Sequence, residues 1–271
     1  MAEISVMLPL YNARSVVWLA LESLCRQAGE YPGFELVVCE ERAGHAVVGS
    51  EGLALYRGRL RRAGCERVRY LKQDGWISLS RKYIRMGEEI DPDSKIALIW
   101  GADNYAHKYR LADSWTAMQS GADVVHQKNC VYMDLQNGEL FKWDTSRYLS
   151  PTGKGTATGG VDMAFRSELW RRWNRPHTKA AGNDSWAMRE CRRVNGSVLR
   201  SEWFEGREWD NGLFTRGLNN LSSRSFGHEP WFEADSRTWR EVLPADLHSQ
   251  MERTLEIASR PHELIRHRSV S

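Results

Sequence analysis

The stretch Ile4-Ser5-Val6-Met7-Leu8-Pro9-Leu10-Tyr11-Asn12-Ala13 decides how this chain is read. An apolar run stops at Pro-Leu-Tyr-Asn, and a helical pattern over 14–28 begins almost at once, with Val17, Leu21 and Leu24 on one face. A strand that ends in a polar turn and feeds a helix is the head of an α/β unit, where such sheets bind ligands. The turn offers a phenol and an amide, which suit a base or ribose. It has no glycine, so it is neither a Walker loop nor a GxGxxG turn.

Outward from this unit the pattern repeats. Strands are expected at 34–39, 67–72 and 95–100, alternating with helices at 50–63 and 78–90. That order implies an α/β fold: a mainly parallel sheet flanked by helices. The second half differs. A helix over 108–120 precedes two runs, 122–133 and 139–144, on either side of Asn137-Gly138, a hairpin turn signal. A Ser/Thr/Gly/Pro-rich loop spans 145–160, followed by a strand at 161–165 and helices at 166–174 and 183–194. Residues 205–237 are polar and aromatic with weak periodicity, and 244–258 suggest a C-terminal helix before a basic tail.

The 271 residues suffice for one large domain or two small ones, and 41% are hydrophobic, enough for a sizeable core. The formal charge of +3 is mildly basic and does not by itself point to nucleic acid. Of 38 basic residues, 30 are Arg and 8 are Lys. Arginine suits forked contacts to phosphate and carboxylate, though a GC-rich genome gives the same bias. Five scattered cysteines form no CxxC pair, which argues against a zinc ribbon or redox motif and for reduced thiols. No signal peptide or membrane-length apolar run is visible, so a cytoplasmic protein is expected.

Three polar features follow the ends of expected strands: Pro9 to Asn12, Glu40-Glu41, and Gly101-Ala102-Asp103-Asn104. In a parallel sheet these ends share one edge and meet at one cleft. A carboxylate after the second strand can accept a hydrogen bond from a base or sugar hydroxyl. One after the fourth can hold a hard divalent cation that bridges phosphates.

With these residues in view, the chain resembles the family 2 glycosyltransferases of the GT-A (Rossmann-like) fold. The resemblance covers roughly residues 3–230. It is carried by Ser5 to Ala13, by Leu21-Glu22-Ser23-Leu24-Cys25-Arg26-Gln27, by Leu79-Ser80-Arg81-Lys82-Tyr83, by Gly159-Gly160-Val161-Asp162-Met163-Ala164-Phe165-Arg166, and by Asn183-Asp184. It implies a GT-A domain over 1–237, with a nucleotide-sugar-binding half at 1–104 and an acceptor-side half at 105–237. A C-terminal helical extension and basic tail, 238–271, would follow. Pro9, Tyr11, Asn12, Glu40, Arg81, Ala102 and Asp103 would contact the donor, a nucleotide-diphosphate sugar with UDP-sugars favoured. Glu40 stands where the family has Asp. Gly101-Ala102-Asp103 stands for the family's Asp-x-Asp, so Asp103 would hold Mn²⁺ or Mg²⁺, with His228 as a C-terminal ligand. Asp184 would be the general base of an inverting transfer, taking the proton from the acceptor hydroxyl. Gly159, Gly160, Asp162, Asn183 and Trp186 would form the acceptor side.

Each feature also has a plainer reading. Glu40-Glu41 suits a solvated turn, Asp103-Asn104 and Asp184 suit helix caps, and His228 suits a surface position. Most of the 12 tryptophans suit packing, with Trp100, Trp186, Trp209 and Trp231 expected as cleft walls. Around Asp184 lie Arg171, Arg172, Arg175, Lys179, Arg189, Arg192 and Arg193, a basic rim suited to a phosphate-bearing acceptor. The acceptor expected from the family is a polysaccharide or glycan. Hydroxymethylated pyrimidine in phage-type DNA is the alternative, and a catalytically degenerate nucleotide-sugar-binding module is a third reading.

Overall fold

A computed structural model describes residues 2–10, 15–42, 48–127, 129–144, 163–177, 183–196, 200–204, 212–216 and 232–259. The first half alternates as expected: β1 (Ile4–Leu10), α1 (Val17–Cys25), β2 (Phe34–Arg42), α2 (Gly49–Arg62), β3 (Cys65–Asp74), α3 (Leu79–Gly87) and β4 (Ile96–Ile99). The chain continues through β5 (Asn104–Ala106), α4 (Arg110–Gln119), β6 (Val124–Gln127), β7 (Asn129–Asp134), β8 (Leu140–Asp144), β9 (Met163–Arg166), α5 (Ser167–Trp170) and α6 (Asn183–Asn195). It closes with β10 (Ser201–Phe204), β11 (Gly212–Arg216), β12 (Phe232–Ala234), α7 (Trp239–Val242), a 3₁₀ turn (Ala245–Leu247) and α8 (His248–Ala258).

The main sheet has seven strands in the order β10-β6-β9-β4-β1-β2-β3. The β4-β1-β2-β3 block is parallel, while β9 runs antiparallel between β4 and β6. Alternation along the central strands sends their side chains into two cores. Ile4, Val6, Leu8, Leu10, Leu36, Val38 and Leu98 pack with α1 and α2 residues such as Leu21, Leu24 and Leu60. Met7, Val37, Cys39, Ala97 and Ile99 face Tyr83, Met86, Trp170 and Trp186 of α3, α5 and α6. Both faces are therefore covered, which is why the strands read as apolar runs.

A second sheet, β12-β8-β7-β11-β5, has five short strands. The expected hairpin is present as antiparallel β7 and β8. Its turn closes with the Gly138 amide on the Asp134 carbonyl at 2.7 Å, and Gly138 has φ +76°. The run expected as one strand over 122–133 is divided: β6 belongs to the main sheet and β7 to the second. The C-terminal helix packs back onto the start of the chain. Met251 is fully buried in the core shared with α1, and the Trp18 indole donates to Thr254 Oγ1 at 3.1 Å.

The register of β1 shapes the carboxyl edge of the main sheet. β1 pairs with β2 along its whole length, from Ile4–Phe34 to Leu10–Glu40, but with β4 only from Ile4–Ile96 to Met7–Ile99. Leu8, Pro9 and Leu10 therefore overhang β4. The Trp100 amide makes a last bond to Met7 O at 2.9 Å, and the chain then turns away. Proline, which has no N–H to give a ladder, is tolerated in a central strand because this stretch has a partner on one side. The overhang leaves a notch at the carboxyl edge, above the end of β4.

Candidate functional site

The notch is bordered by the ends of β1, β2 and β4 and by the first turn of α3. Pro9 lies in the overhang, and Tyr11 and Asn12 fall outside the described residues.

The two glutamates at the end of β2 point to opposite faces. Both are buried, Glu40 at 0% and Glu41 at 3% exposure, so the solvated-turn reading fails. Glu40 accepts hydrogen bonds from the backbone N–H groups of Val48 (3.0 Å) and Gly49 (2.9 Å) and from the Tyr70 hydroxyl (2.6 Å). Its carboxylate therefore sits at the start of α2, where the unpaired amides and the helix dipole favour negative charge. Glu41 lies on the other face. Its Oε2 pairs with Lys82 Nζ at 2.9 Å, and both side chains are almost wholly buried. Its Oε1 is buried with no hydrogen-bond partner among the described residues.

Lys82 also donates to the carbonyl of Leu10, the last residue of β1, at 3.0 Å. One ammonium thus ties together the ends of β1, β2 and α3 at the notch. Sequence reasoning missed this residue, because the resemblance pointed to Arg81. Arg81 is exposed on the outer face of α3. The available signal was periodicity: a lysine on the same helical stripe as Tyr83 and Met86 has to be buried, and buried lysine needs a charged partner.

After β4, Ala102 and Asp103 are partly exposed. The Asp103 carbonyl accepts from both the Thr215 amide (3.2 Å) and the Thr215 hydroxyl (2.7 Å) in β11. Asn104 is 2% exposed, and with its amide nitrogen turned toward Asp103 it donates to that residue's carbonyl and Oδ1, both at 3.2 Å. A Cβ added at Gly101 would collide with the Asn104 amide. The space that an Asp-x-Asp motif gives to its first carboxylate is thus filled by an amide that holds the second one in place.

Among the described residues, no group of three or more His, Cys, Asp or Glu side chains could enclose a metal ion. A single aspartate at a strand end does fit a hard cation that takes most of its oxygens from a diphosphate and water. His228 lies outside the described residues.

On the acceptor side, Gly159, Gly160 and Asp162 also lie outside the described residues. Asn183 and Asp184 open α6, and their side chains are not among those described. The position of α6 is set by Trp186, whose ring stacks on Tyr83 of α3 (centroids 6.4 Å, planes 7° apart) and whose indole donates to Arg175 O at 2.7 Å. The start of α6 therefore adjoins the turn of α3 that carries Lys82 to the notch.

Two expected cleft walls are corrected. Trp186 is 4% exposed and packed within an aromatic cluster with Tyr83 and Trp173. Trp100 is fully buried beneath the Arg110 guanidinium, 4.4 Å from the ring centroid, and donates to Ser23 Oγ at 3.2 Å. Neither offers a free face to a sugar. Trp209 and Trp231 lie outside the described residues. Two rim arginines are also committed elsewhere: Arg171 to the carbonyls of Asp91, Pro92 and Ser94, and Arg193 to Glu190 and Asn174.

No family model matches the chain, and no curated protein matches it. Solved structures do. The chain is similar to a crystal structure of S. aureus TarS residues 1–349 in complex with UDP-GlcNAc, with a TM-score of 0.58, 16% identity, and coverage of 83% of this chain and 62% of that one. The same TarS segment in complex with UDP gives a TM-score of 0.57 at 14% identity over 80% of this chain and 61% of that one. A further crystal structure of TarS residues 1–349 gives a TM-score of 0.55 at 16% identity over 79% of this chain and 60% of that one. The chain thus spans about three fifths of these TarS segments. At such identities the likeness concerns architecture: the molecule shares with TarS a mostly parallel, helix-flanked, Rossmann-like α/β fold.

Proposed function

We propose that this chain transfers a sugar from a nucleotide-diphosphate sugar, with UDP-sugars favoured, to an acceptor hydroxyl. The observation that carries the reading is the notch at the ends of β1, β2 and β4, in a fold shared with a protein crystallised with UDP-GlcNAc. Lys82 holds the carbonyl of Leu10, the residue that Tyr11 and Asn12 follow in sequence. A base or ribose bound at this edge would direct its diphosphate toward Asp103.

Asp103 would hold Mn²⁺ or Mg²⁺, and such a cation supplies charge neutralisation for the departing diphosphate. Asn104 keeps the Asp103 carboxylate aimed, and Gly101 leaves room for it to do so. Asp184, in the first turn of α6, would take the acceptor's proton as its oxygen attacks the anomeric carbon, with inversion and without a covalent enzyme intermediate.

The test is a thermal-shift panel of UDP-, GDP- and dTDP-sugars with and without Mn²⁺, paired with an assay for released nucleoside diphosphate. A UDP-sugar at about 100-fold over its Kd should stabilise the protein by about 2.7 kcal/mol. Asp184→Ala should keep that shift and abolish transfer, and Asp103→Ala should lose the Mn²⁺-dependent part of the shift. No shift with any donor overturns the reading. A shift without turnover, for every acceptor tried, favours the degenerate binding module instead.

A further inference from the structure

The helices α3, α5 and α6 and the segment 171–177 form one layer against the sheet, with Tyr83, Met86, Trp170, Trp173 and Trp186 turned inward. The outward side of this layer is strongly asymmetric in charge. Arg81, Arg172, Arg175, Arg189 and Arg192 are exposed, and Arg85 is half-exposed. None of the six pairs with a carboxylate among the described residues. Among the described side chains of the same stretches, the exposed carboxylates are Glu88 and Glu168.

A groove of about 360 Å³ runs between α3 and the 171–177 segment, with Arg81, Arg85 and Glu88 on one wall and Asn174 and Pro176 on the other. At its β3 end it reaches Ile77. The neighbouring Trp76 is 67% exposed, the largest ring so exposed among the described residues, and it follows Gly75 at φ +78°. Ile77 is also held to the notch, its amide lying 3.4 Å from Glu41 Oε2. Groove and notch are therefore adjacent.

We propose that this face is the binding track for a single-stranded nucleic-acid segment, with phosphates on the arginines and an unstacked base on Trp76. The proposal rests on the sugar-transfer reading for its placement beside a donor site, and it names that site's acceptor class. A row of forked guanidinium groups matches phosphodiester oxygens, whereas a neutral glycan draws nothing from so many exposed cations. A polyol-phosphate chain would satisfy the arginines but has no π-face for Trp76. Stacking on an exposed indole is how proteins hold single strands without reading sequence. A base hydroxyl offered for transfer has to be unstacked in any case.

The test is fluorescence anisotropy with a fluorescein-labelled single-stranded oligodeoxynucleotide and the full chain, titrated across salt concentrations. Binding should weaken steeply with salt, and Arg175→Glu with Arg189→Glu should flatten the log–log slope by about 1.4, or 0.7 per lost phosphate contact. Trp76→Ala should weaken binding about tenfold, and Trp76→Phe should restore most of it. Thermal melts of the variants confirm that they fold.

No binding at low salt overturns the proposal. So does tighter binding of the matching duplex, or equal competition by poly(glycerol phosphate) together with an indifferent Trp76→Ala, which would assign the face to a polyol-phosphate polymer. The UDP-GlcNAc thermal shift of the wild-type protein is read separately. A donor shift without oligonucleotide binding removes the track alone, and oligonucleotide binding without a donor shift removes the donor reading alone.

Discussion

Lys82 and Glu41 form an ion pair with almost no access to water, at the point where β1, β2 and α3 converge. Burying two charges costs several kcal/mol, and mutual attraction with good geometry offsets that cost. Removing one partner does not. Lys82→Met should therefore lose about 3–5 kcal/mol of stability in urea unfolding, because it leaves the Glu41 carboxylate buried and unpaired. Adding Glu41→Gln should recover a large share of that loss. A Lys82→Met variant as stable as the wild type would show that the pair does not hold the notch together.

The candidate site was only partly legible at this scale. The place of Asp103 just past the end of β4 was readable because it follows an apolar run. Lys82 was not, because matching the segment Leu79 to Tyr83 to a family pattern drew attention to the exposed Arg81. Trp100 and Trp186 were misread because tryptophan is favoured both in sugar clefts and in cores, and composition does not separate the two.

Among the elements, β1, β2 and β4 were readable because they are central, buried and uninterrupted, and the β7–β8 hairpin because Asn137-Gly138 marks its turn. Strands β5, β10, β11 and β12 were not, having three to five residues each, too few for a period to show. Strand β6 carries a testable consequence. His126 is buried there, and burial pushes its pKa down to about 4. The unfolded chain protonates this histidine near its ordinary value of about 6.5. Between those values the unfolded state binds more protons, so stability rises with pH. The contribution is complete above about pH 6.5 and is lost as pH falls toward 4, amounting to about 2 kcal/mol between pH 7 and pH 5. Urea unfolding at the two pH values should show that loss, and His126→Gln should flatten it. An unchanged slope in the variant would place the pH sensitivity elsewhere.

For the whole molecule, the division of the chain at residue 237 is not a division of the core. Trp239, Leu243, Leu247 and Met251 belong to the same buried cluster as Leu21 and Leu98. Met251→Ala should therefore cost about 2–5 kcal/mol, the usual range for emptying a buried methionine site. The chain should still unfold in one transition, detected alike by circular dichroism and by tryptophan fluorescence. Two separate transitions would make the C-terminal helices an independent unit.

The two sheets are also joined at one chemically sensitive place. Thr215 of β11, a strand of the second half, grips the Asp103 carbonyl with both its amide and its hydroxyl. Whatever displaces that strand from one side must drag the aspartate with it, and whatever fixes the aspartate must steady the strand. On the sugar-transfer reading, a ligand held at Asp103 and a second one seated against β11 would change each other's affinity by the same factor through this one carbonyl.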